Sequence, residues 1–205
     1  MRIGIIGAGN VGRALSTASV QAGHTVTVTS ADDKEATQLA SDLGVEKASS
    51  NSEAISKSDV VILAVPASAI SSIAQEASDA LRGKVVIDVT NRFEPEQMDG
   101  TSNAELTQQK VPDAHVIKAF NTILAANQSD PMEDGVQLDG FVAGDDPEAK
   151  KTVLEYVQSL GFRPIDVGPL TMSRALEAMG LLNISLNMQN RWPWQTGWKL
   201  VGPTG

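Results

Sequence analysis

The chain has 205 residues, of which 41% are hydrophobic and 20% charged, and its formal net charge is −9. This composition is typical of a globular protein, and the negative charge argues against nucleic-acid binding. The absence of cysteine excludes disulfides, thiolate nucleophiles and cysteine-ligated metals. The two histidines lie far apart in sequence and suggest no metal site, and the apolar runs are far too short to span a bilayer. We therefore expect a cytoplasmic protein with neither a membrane partner nor a nucleic-acid partner.

The first predicted element is a short apolar strand at residues 3–6, which runs directly into a G-x-G-x-x-G pattern. The pattern consists of Gly7, Ala8, Gly9, Asn10, Val11 and Gly12. In such a pattern the first glycine allows a tight turn, the second lets the backbone approach a pyrophosphate, and the third lets the next helix pack closely. The helix N-terminus then offers free N–H groups and its positive dipole end to the phosphates. We expect these six residues to bind a dinucleotide.

Strands and helices alternate along the rest of the chain, which predicts a parallel sheet covered by helices on both faces. Strands are predicted at residues 3–6, 24–29, 45–48, 59–66, 84–89, 115–119, 138–143 and 162–167. The first helix is predicted to run from the glycine pattern to Gly23, and a short helix is predicted after the capping-box sequence 50–53. Five further helices are predicted at 34–43, 68–81, 102–110, 148–160 and 171–190. The long loops 90–101 and 121–136 are candidates for function.

The predicted fold class is α/β, a Rossmann-type doubly wound, mostly parallel sheet with extra C-terminal strands and a C-terminal helix. We expect residues 1–205 to form a single dinucleotide-binding domain. Within it, residues 1–122 are the Rossmann core and residues 123–205 are an extension that ends in the C-terminal helix.

Ligands of an open parallel sheet bind outside the carboxyl ends of its strands. Five segments of this chain fall at such ends, namely 7–11, 29–30, 64–66, 90–91 and 120–122. We therefore add Ala64, Val65, Pro66 and Asn91 to the candidate cofactor-binding residues.

The end of the second predicted strand bears on the choice of dinucleotide. Hydroxyl and basic residues there favour the 2′-phosphate of NADP, whereas an acidic residue favours the free ribose of NAD. Ser30 and Lys34 favour NADP(H), whereas Asp32 and Asp33 favour NAD, although Asp33 is also a candidate helix cap. We expect NADP(H), with NAD as the alternative.

Few residues can supply a proton to a substrate at this edge of the sheet. His24 and His115 begin their strands and belong to the opposite edge, and Tyr156 lies in the middle of a late helix. Lys118 is the one candidate acid, and a structural ion pair is an equally good interpretation of it. This scarcity favours a hydride acceptor that needs no protein acid, such as a second redox cofactor whose ring is held against the nicotinamide.

Three tryptophans, at 192, 194 and 198, follow the last helix in a chain with only 4% aromatic residues. One interpretation is an aromatic wall over a flat ring, or a lid contributed by a partner subunit. The other is a hydrophobic anchor for the terminal segment, or a dimer contact.

Several motifs together resemble the family of coenzyme F420-dependent NADP oxidoreductases, and also the cytosolic reductase domain of metalloreductases of the six-transmembrane prostate-antigen type. Besides the glycine pattern, the similarity rests on residues 28–30, 64–66, 88–91, 102–105, 116–122, 144–146 and 164–169. The resemblance implies a homodimer whose chains bind NADPH at the glycine pattern and hold a deazaflavin or flavin against the nicotinamide. It also implies that Ser30 contacts the 2′-phosphate and that Pro66 lies at the nicotinamide end.

The same resemblance implies that the second ring lies near the loop after the sixth strand, where Asn121 and Ile123 match positions that line its pocket. Ala119, at the end of that strand, is a further candidate cofactor-binding residue. The chain departs from the family pattern in two places. It has Ala31 and Asp32 where F420-dependent members commonly carry arginine, and asparagine at 121 where histidine can occur. The chain also stops before any membrane domain, so we expect a soluble protein.

The sequence therefore predicts an NADP(H)-dependent oxidoreductase that transfers a hydride to or from F420, FMN or FAD, with no catalytic side chain and no metal. Two alternatives stay open. One is an imine or carbonyl reductase with Lys118 as the acid, and the other is a protein that senses NADPH without turning it over.

Overall fold

The structure is a computed structural model, and it describes residues 1–92 and 100–203. The strands are β1 (Arg2–Ile6), β2 (Thr25–Thr29), β3 (Glu46–Lys47), β4 (Val60–Leu63), β5 (Val85–Asp88), β6 (His115–Lys118), β7 (Met132–Glu133), β8 (Val136–Gln137), β9 (Asp139–Gly144) and β10 (Arg163–Asp166). The helices are α1 (Asn10–Gln21), α2 (Asp33–Leu43), α3 (Asn51–Ser56), α4 (Ile70–Glu76), α5 (Ser78–Leu81), α6 (Asn103–Lys110), α7 (Pro147–Ser159) and α8 (Ser173–Asn190).

Eight strands form one sheet in the order β10-β9-β6-β5-β4-β1-β2-β3. Strands β1–β6 are mutually parallel. Their order across the sheet is 3-2-1-4-5-6, which is that of a doubly wound dinucleotide-binding fold. Strand β9 pairs antiparallel with β6, and β10 pairs parallel with β9. The predicted fold class, with its extra C-terminal strands and C-terminal helix, is therefore confirmed.

Apolar residues that point to alternate faces of the sheet create a hydrophobic core on each side. In β4, Val60 and Ile62 join a cluster that includes residues of α1, α2 and α7, whereas Val61 and Leu63 join one with α3–α6. All four β4 side chains are buried, as expected for a central parallel strand covered on both faces.

The structure corrects two details of the sequence prediction. The helix predicted at 68–81 is a 3-10 turn followed by α4 and α5, which are separated at Ala77 because that residue leaves helical geometry (φ −119°, ψ 24°). The loop 121–136 contains a 3-10 turn at Ala125–Asn127 and the β7–β8 hairpin. Most of the predicted loop 90–101, at residues 93–99, lies outside the described residues.

Helix α8 is unusual in that most of the side chains on its inward face are polar. Its fully or nearly buried positions include Ser173, Glu177, Asn183 and Asn187. Leu182 and Met188 face outward with 50% and 66% of their surface exposed. A surface helix normally buries its apolar stripe, so hydrogen bonds and ion pairs must hold the inner face of this helix.

Candidate dinucleotide site

The turn after β1 is built around two glycines that have no room for a side chain. Gly7 has φ +113°, and a Cβ placed there would lie 2.2 Å from the carbonyl oxygen of Ala64. A Cβ on Gly12 would lie 1.9 Å from the carbonyl oxygen of Gly7. Gly9, in contrast, has an ordinary φ of −67° and nothing within 4 Å of the place of a Cβ. Gly7 and Gly12 are thus required by packing, while Gly9 leaves open space where a ligand can approach the backbone.

A cleft of about 340 Å³ opens beside this turn, at the carboxyl ends of the parallel strands. Nine of the residues predicted from the sequence line it: Gly9, Asn10, Val11, Ala64, Val65, Pro66, Asn91, Asn121 and Ile123. Thr90, which the sequence placed at a strand end without selecting it as a binding residue, also lines the cleft. Sequence reasoning missed the neighbours Ala67, Val89, Leu124, Ala125 and Ile184. Of these, Ile184 arrives from α8, which no local sequence pattern connects with the sheet.

Other predicted site residues lie outside the cleft lining. Gly7 and Gly12 are packed beneath it, and Ala8 belongs to the core at 5% exposure. Ala119 is fully buried and is not among the described residues that line the cleft. The side chain of Ala119 belongs to the hydrophobic core, and its part in cofactor binding stays a prediction.

The end of β2 lies next to the glycine turn, because the N–H of Gly7 donates to the carbonyl oxygen of Thr29 at 2.8 Å. Ser30 follows, half-buried, and Lys34 is exposed in the first turn of α2. Asp32, rather than Asp33, caps α2: its Oδ1 accepts from the N–H groups of Lys34 and Glu35 at 2.9 and 3.2 Å. Because the helix N-terminus already engages this carboxylate, Ser30 is the first polar side chain that the end of β2 offers to a ribose.

Two asparagines that line the cleft, Asn91 and Asn121, are hydrogen-bonded to each other. The Nδ2 of Asn91 donates to the carbonyl oxygen of Asn121 at 2.9 Å, and the Nδ2 of Asn121 donates to the Oδ1 of Asn91 and to the carbonyl oxygen of Leu176, both at 2.8 Å. The Leu176 carbonyl can only accept, which fixes the orientation of the Asn121 amide. Its Oδ1 is buried and finds no hydrogen-bond partner among the described residues. An N–H group on a bound ring would donate a hydrogen bond to this oxygen. Both a nicotinamide carboxamide and a flavin-like ring carry such a group.

Lys118 does not face the cleft. Its side chain is completely buried, with Nζ 3.0 Å from Asp88 Oδ1 and 2.8 Å from Glu177 Oε1, and it also donates to the carbonyl oxygen of Thr90. Burial by itself would raise the pKa of Asp88, but Lys118 and hydrogen bonds from Thr107 and Thr90 outweigh it and hold that pKa below its usual range. The structural ion pair is thus the interpretation that the geometry supports, and the role of proton donor is not.

Glu177 carries this network onward to α6. Its carboxylate accepts from the N–H groups of Asn103 and Ala104 at 3.1 and 3.3 Å, at the start of that helix. Nearby, Arg174 binds both oxygens of Glu105, at 2.8 and 2.6 Å. These bonds tie the polar inner face of α8 to β5, β6 and α6, and so position Ile184 beside the cleft.

The remaining candidate acids lie away from the site, as their positions in sequence predicted. His115 pairs with Asp146 at 3.4 Å, and the Nε2 of His24 lies 2.7 Å from the hydroxyl of Ser159. The hydroxyl of Tyr156 is buried against Ser19 at 2.6 Å, and burial raises its pKa.

The tryptophans of the tail have different environments. Trp198 packs against a small cluster that includes Phe141 and Leu176, which fits the anchor interpretation. Trp192 and Trp194 remain 42% and 44% exposed, and Trp194 lines a second cavity of about 700 Å³ next to the cleft.

The strand order and the glycine turn define a Rossmann-type dinucleotide-binding protein. The family model described as NADP oxidoreductase, coenzyme F420-dependent, matches residues 2–92. The F420-dependent NADP reductase of Methanothermobacter marburgensis is 30% identical over 214 residues, which cover 93% of this chain and 94% of that protein. The chain belongs to the family of coenzyme F420-dependent NADP oxidoreductases.

Two further comparisons bear on its relations. Metalloreductase STEAP3 of Rattus norvegicus is 37% identical over 182 residues, or 88% of this chain, and the chain spans only 36% of the length of that relative. A crystal structure of a protein assigned as an F420-dependent NADP reductase from Arthrobacter sp. FB24 has a TM-score of 0.86, with 25% identity, and covers 97% of this chain and 99% of that one. Within residues 1–92 and 100–203, no helix is both long and apolar enough to cross a membrane.

Proposed function

We propose that this protein transfers a hydride between NADP(H) and a deazaflavin or flavin ring. The observation that carries the proposal is the chemistry of the cleft: among the described residues that line it, none has an ionisable side chain. Reduction of a carbonyl or imine needs a proton, which a protein acid near the substrate usually delivers, whereas transfer between two rings needs mainly positioning and exclusion of water.

The residues present fit a dinucleotide. The open backbone at Gly9 and the N-terminus of α1 would hold the pyrophosphate, and Pro66 and Asn121 would flank the nicotinamide. NADPH bound there would supply a hydride from C4 of its nicotinamide, which would be oxidised as the acceptor ring takes up that hydride together with a solvent proton. The chain's own contribution is to orient the two rings and to exclude water between apolar walls such as Val11, Ile123 and Ile184.

Ser30 and Lys34 favour NADPH over NADH in this proposal. Ser30 follows the strand that is hydrogen-bonded to the glycine turn, and Lys34 is exposed one helical turn away. The carboxylate of Asp32, engaged as a helix cap, is less available to a ribose than a free one would be.

A homodimer is part of the same proposal. The outward face of α8 carries exposed Leu182 and Met188 while its inward face is polar. Exposed large apolar side chains of this kind occur at interaction sites, and a second copy of α8 is the partner that we propose for them.

The test is to mix the purified protein with NADPH or NADH and with F420, FMN, FAD or riboflavin, and to follow nicotinamide oxidation at 340 nm. We expect faster oxidation of NADPH than of NADH with at least one acceptor. No oxidation with any acceptor, while NADPH binds, would contradict the proposal and favour a sensor of NADPH.

A further inference from the structure

We propose that Trp194 forms the outer wall of the acceptor site and that its indole stacks on the flat ring of the hydride acceptor. This inference rests on the proposed function, since it assigns a place to the second ring. It concerns the 700 Å³ cavity beside the dinucleotide cleft, hereafter the acceptor cavity.

The acceptor cavity and the dinucleotide cleft share walls. Both are lined by Asn10, Val11, Leu124, Ala125 and Ile184. A hydride acceptor must come within about 3–3.5 Å of the nicotinamide, so its ring has to occupy space continuous with the cleft. The acceptor cavity meets that requirement, and its volume lies in the range of ordinary small-molecule sites.

The tail holds Trp194 at the cavity by bonds on its C-terminal side. The Nδ2 of Asn127 donates to the carbonyl oxygen of Gln195 at 3.0 Å. Thr196 Oγ1 lies 2.6 Å from both Asn183 Oδ1 and Asn187 Nδ2, which belong to the buried polar face of α8. The backbone next to Trp194 is therefore fixed to the same helix that supplies Ile184.

Trp194 itself has two unusual properties for a residue held in this way. Its φ is +61°, in the left-handed region of backbone conformation that residues other than glycine seldom adopt. Hydrogen bonds fix the residues next to Trp194, but 44% of its own surface is exposed. These bonds therefore do not serve to bury the indole. An indole that is held in an uncommon backbone conformation and lines a cavity with a mostly apolar wall is arranged to receive a ligand.

The opposite walls indicate stacking rather than ion pairing as the mode of recognition. Val11, Leu124 and Ile184 present aliphatic surface. Arg13 also lines the cavity, but its Nη1 donates to Asp42 Oδ2 at 2.8 Å, so its charge is already paired. The acceptor cavity therefore suits a flat aromatic ring, and an anionic side chain on that ring adds little to its affinity.

The experiment measures ring binding without turnover. The protein is saturated with NADP⁺ and titrated with riboflavin, FMN or F420 while the fluorescence of the ring is recorded. For Trp194→Ala we expect the Kd of the ring to rise at least tenfold and the quenching to be lost, while Trp194→Phe keeps most of the affinity. The matched control is Trp192→Ala, which removes an equally exposed indole two residues away and should leave ring binding unchanged. Riboflavin and FMN should bind with Kd values within about threefold of each other.

Four results would overturn the inference: unchanged ring affinity in Trp194→Ala, an equal loss in Trp192→Ala, no saturable binding of any ring to the wild-type protein, or a change of oligomeric state in Trp194→Ala with ring binding intact. The Kd of NADP⁺ and the thermal midpoint, measured for each variant, identify a variant that has lost its fold, in which case Trp194→Phe decides. Failure of the proposed function is a separate observation, since it is the absence of NADPH oxidation by the wild-type protein.

Discussion

The Nζ of Lys118 on β6 lies 2.8 Å from the Oε1 of Glu177 on α8, and both side chains are buried. This pair attaches a helix with a polar inner face to the central sheet. It also ties the fold to the candidate site, because the same helix carries Ile184 to the cleft two turns later.

Removing one partner of this pair should destabilise the fold strongly. In Glu177→Ala the Lys118 ammonium loses its second carboxylate and two N–H groups of α6 lose their acceptor, and we expect a loss of about 3–5 kcal/mol in the free energy of unfolding. Urea denaturation measures it. The control is Asp79→Ala, which removes an exposed carboxylate and should leave the midpoint within error. A Glu177→Ala protein as stable as the control would contradict the structural role.

Stability at acidic pH should depend on Glu105. The Arg174 guanidinium, aided by hydrogen bonds from Ser102, lowers the pKa of this carboxyl to about 2 from 4.5. Because the folded-state pKa is depressed, the stabilisation is fully present above about pH 4.5 and is lost as the pH falls through 2. Unfolding free energies of wild type and Glu105→Gln, measured between pH 6 and 2.5, should converge toward the acidic end. Parallel curves across that range would show that the pair is not coupled to folding.

The glycines of the turn should separate stability from binding. Gly12→Ala places a methyl 1.9 Å from the Gly7 carbonyl oxygen and should cost about 1–3 kcal/mol of stability. Gly9→Val has free space for its side chain and should keep the thermal midpoint, but it should raise the Kd of NADPH at least tenfold by obstructing the pyrophosphate. Isothermal titration and thermal melts of both variants measure the two effects. Tight NADPH binding by Gly9→Val would place the dinucleotide elsewhere.

Position 30 should control the choice of dinucleotide. Ser30→Asp introduces a carboxylate that repels a 2′-phosphate and accepts from a free ribose, so we expect the KM of NADPH to rise at least tenfold and that of NADH to fall. Asp32→Ala is the control, since it removes the cap of α2 at a cost of about 1 kcal/mol but should keep the preference for NADPH. If Asp32→Ala reverses the preference instead, Asp32 and not Ser30 contacts the ribose.

The outward face of α8 should determine the oligomeric state. Leu182→Asp puts a charge into the proposed dimer contact and should shift the protein toward monomer in light scattering after size exclusion. Met132→Glu is matched to it, because Met132 is similarly exposed at 45% but lies on β7. Equal masses for wild type and Leu182→Asp would remove α8 from the interface.

Much of the fold follows from local sequence. The uninterrupted apolar run of β4 indicates a strand buried on both faces, and the helix predicted at 102–110 begins with a complete capping box formed by Ser102 and Glu105. The one predicted at Ser50 is formed only in half: Ser50 accepts from the N–H of Glu53, but the Glu53 carboxylate accepts from Ser49 instead. Local patterns thus predict the positions of helices and strands well. They predict poorly which of two neighbouring residues donates a given hydrogen bond.

The site was predictable on the sheet side and not on the helix side. Strand ends reveal Gly9, Pro66 and Asn121 because every parallel strand delivers its carboxyl end to one edge. Nothing local connects Lys118 with Glu177, 59 residues later in the chain. The environment of a buried charge depends on such distant partners, so sequence left two interpretations of Lys118 open and the fold decided between them.

The Gly7 turn touches the end of β4 without space for a methyl group, so the glycine turn and the wall beside Pro66 are packed directly against each other. This half of the candidate site is therefore preformed, and in the proposed function it would fix the distance between the pyrophosphate and the nicotinamide. Adjustment to different acceptors has to come from the opposite half, where residues 124–129 and the tail meet α8. Substitutions on that side can then change the preferred acceptor without changing the residues proposed to bind the dinucleotide.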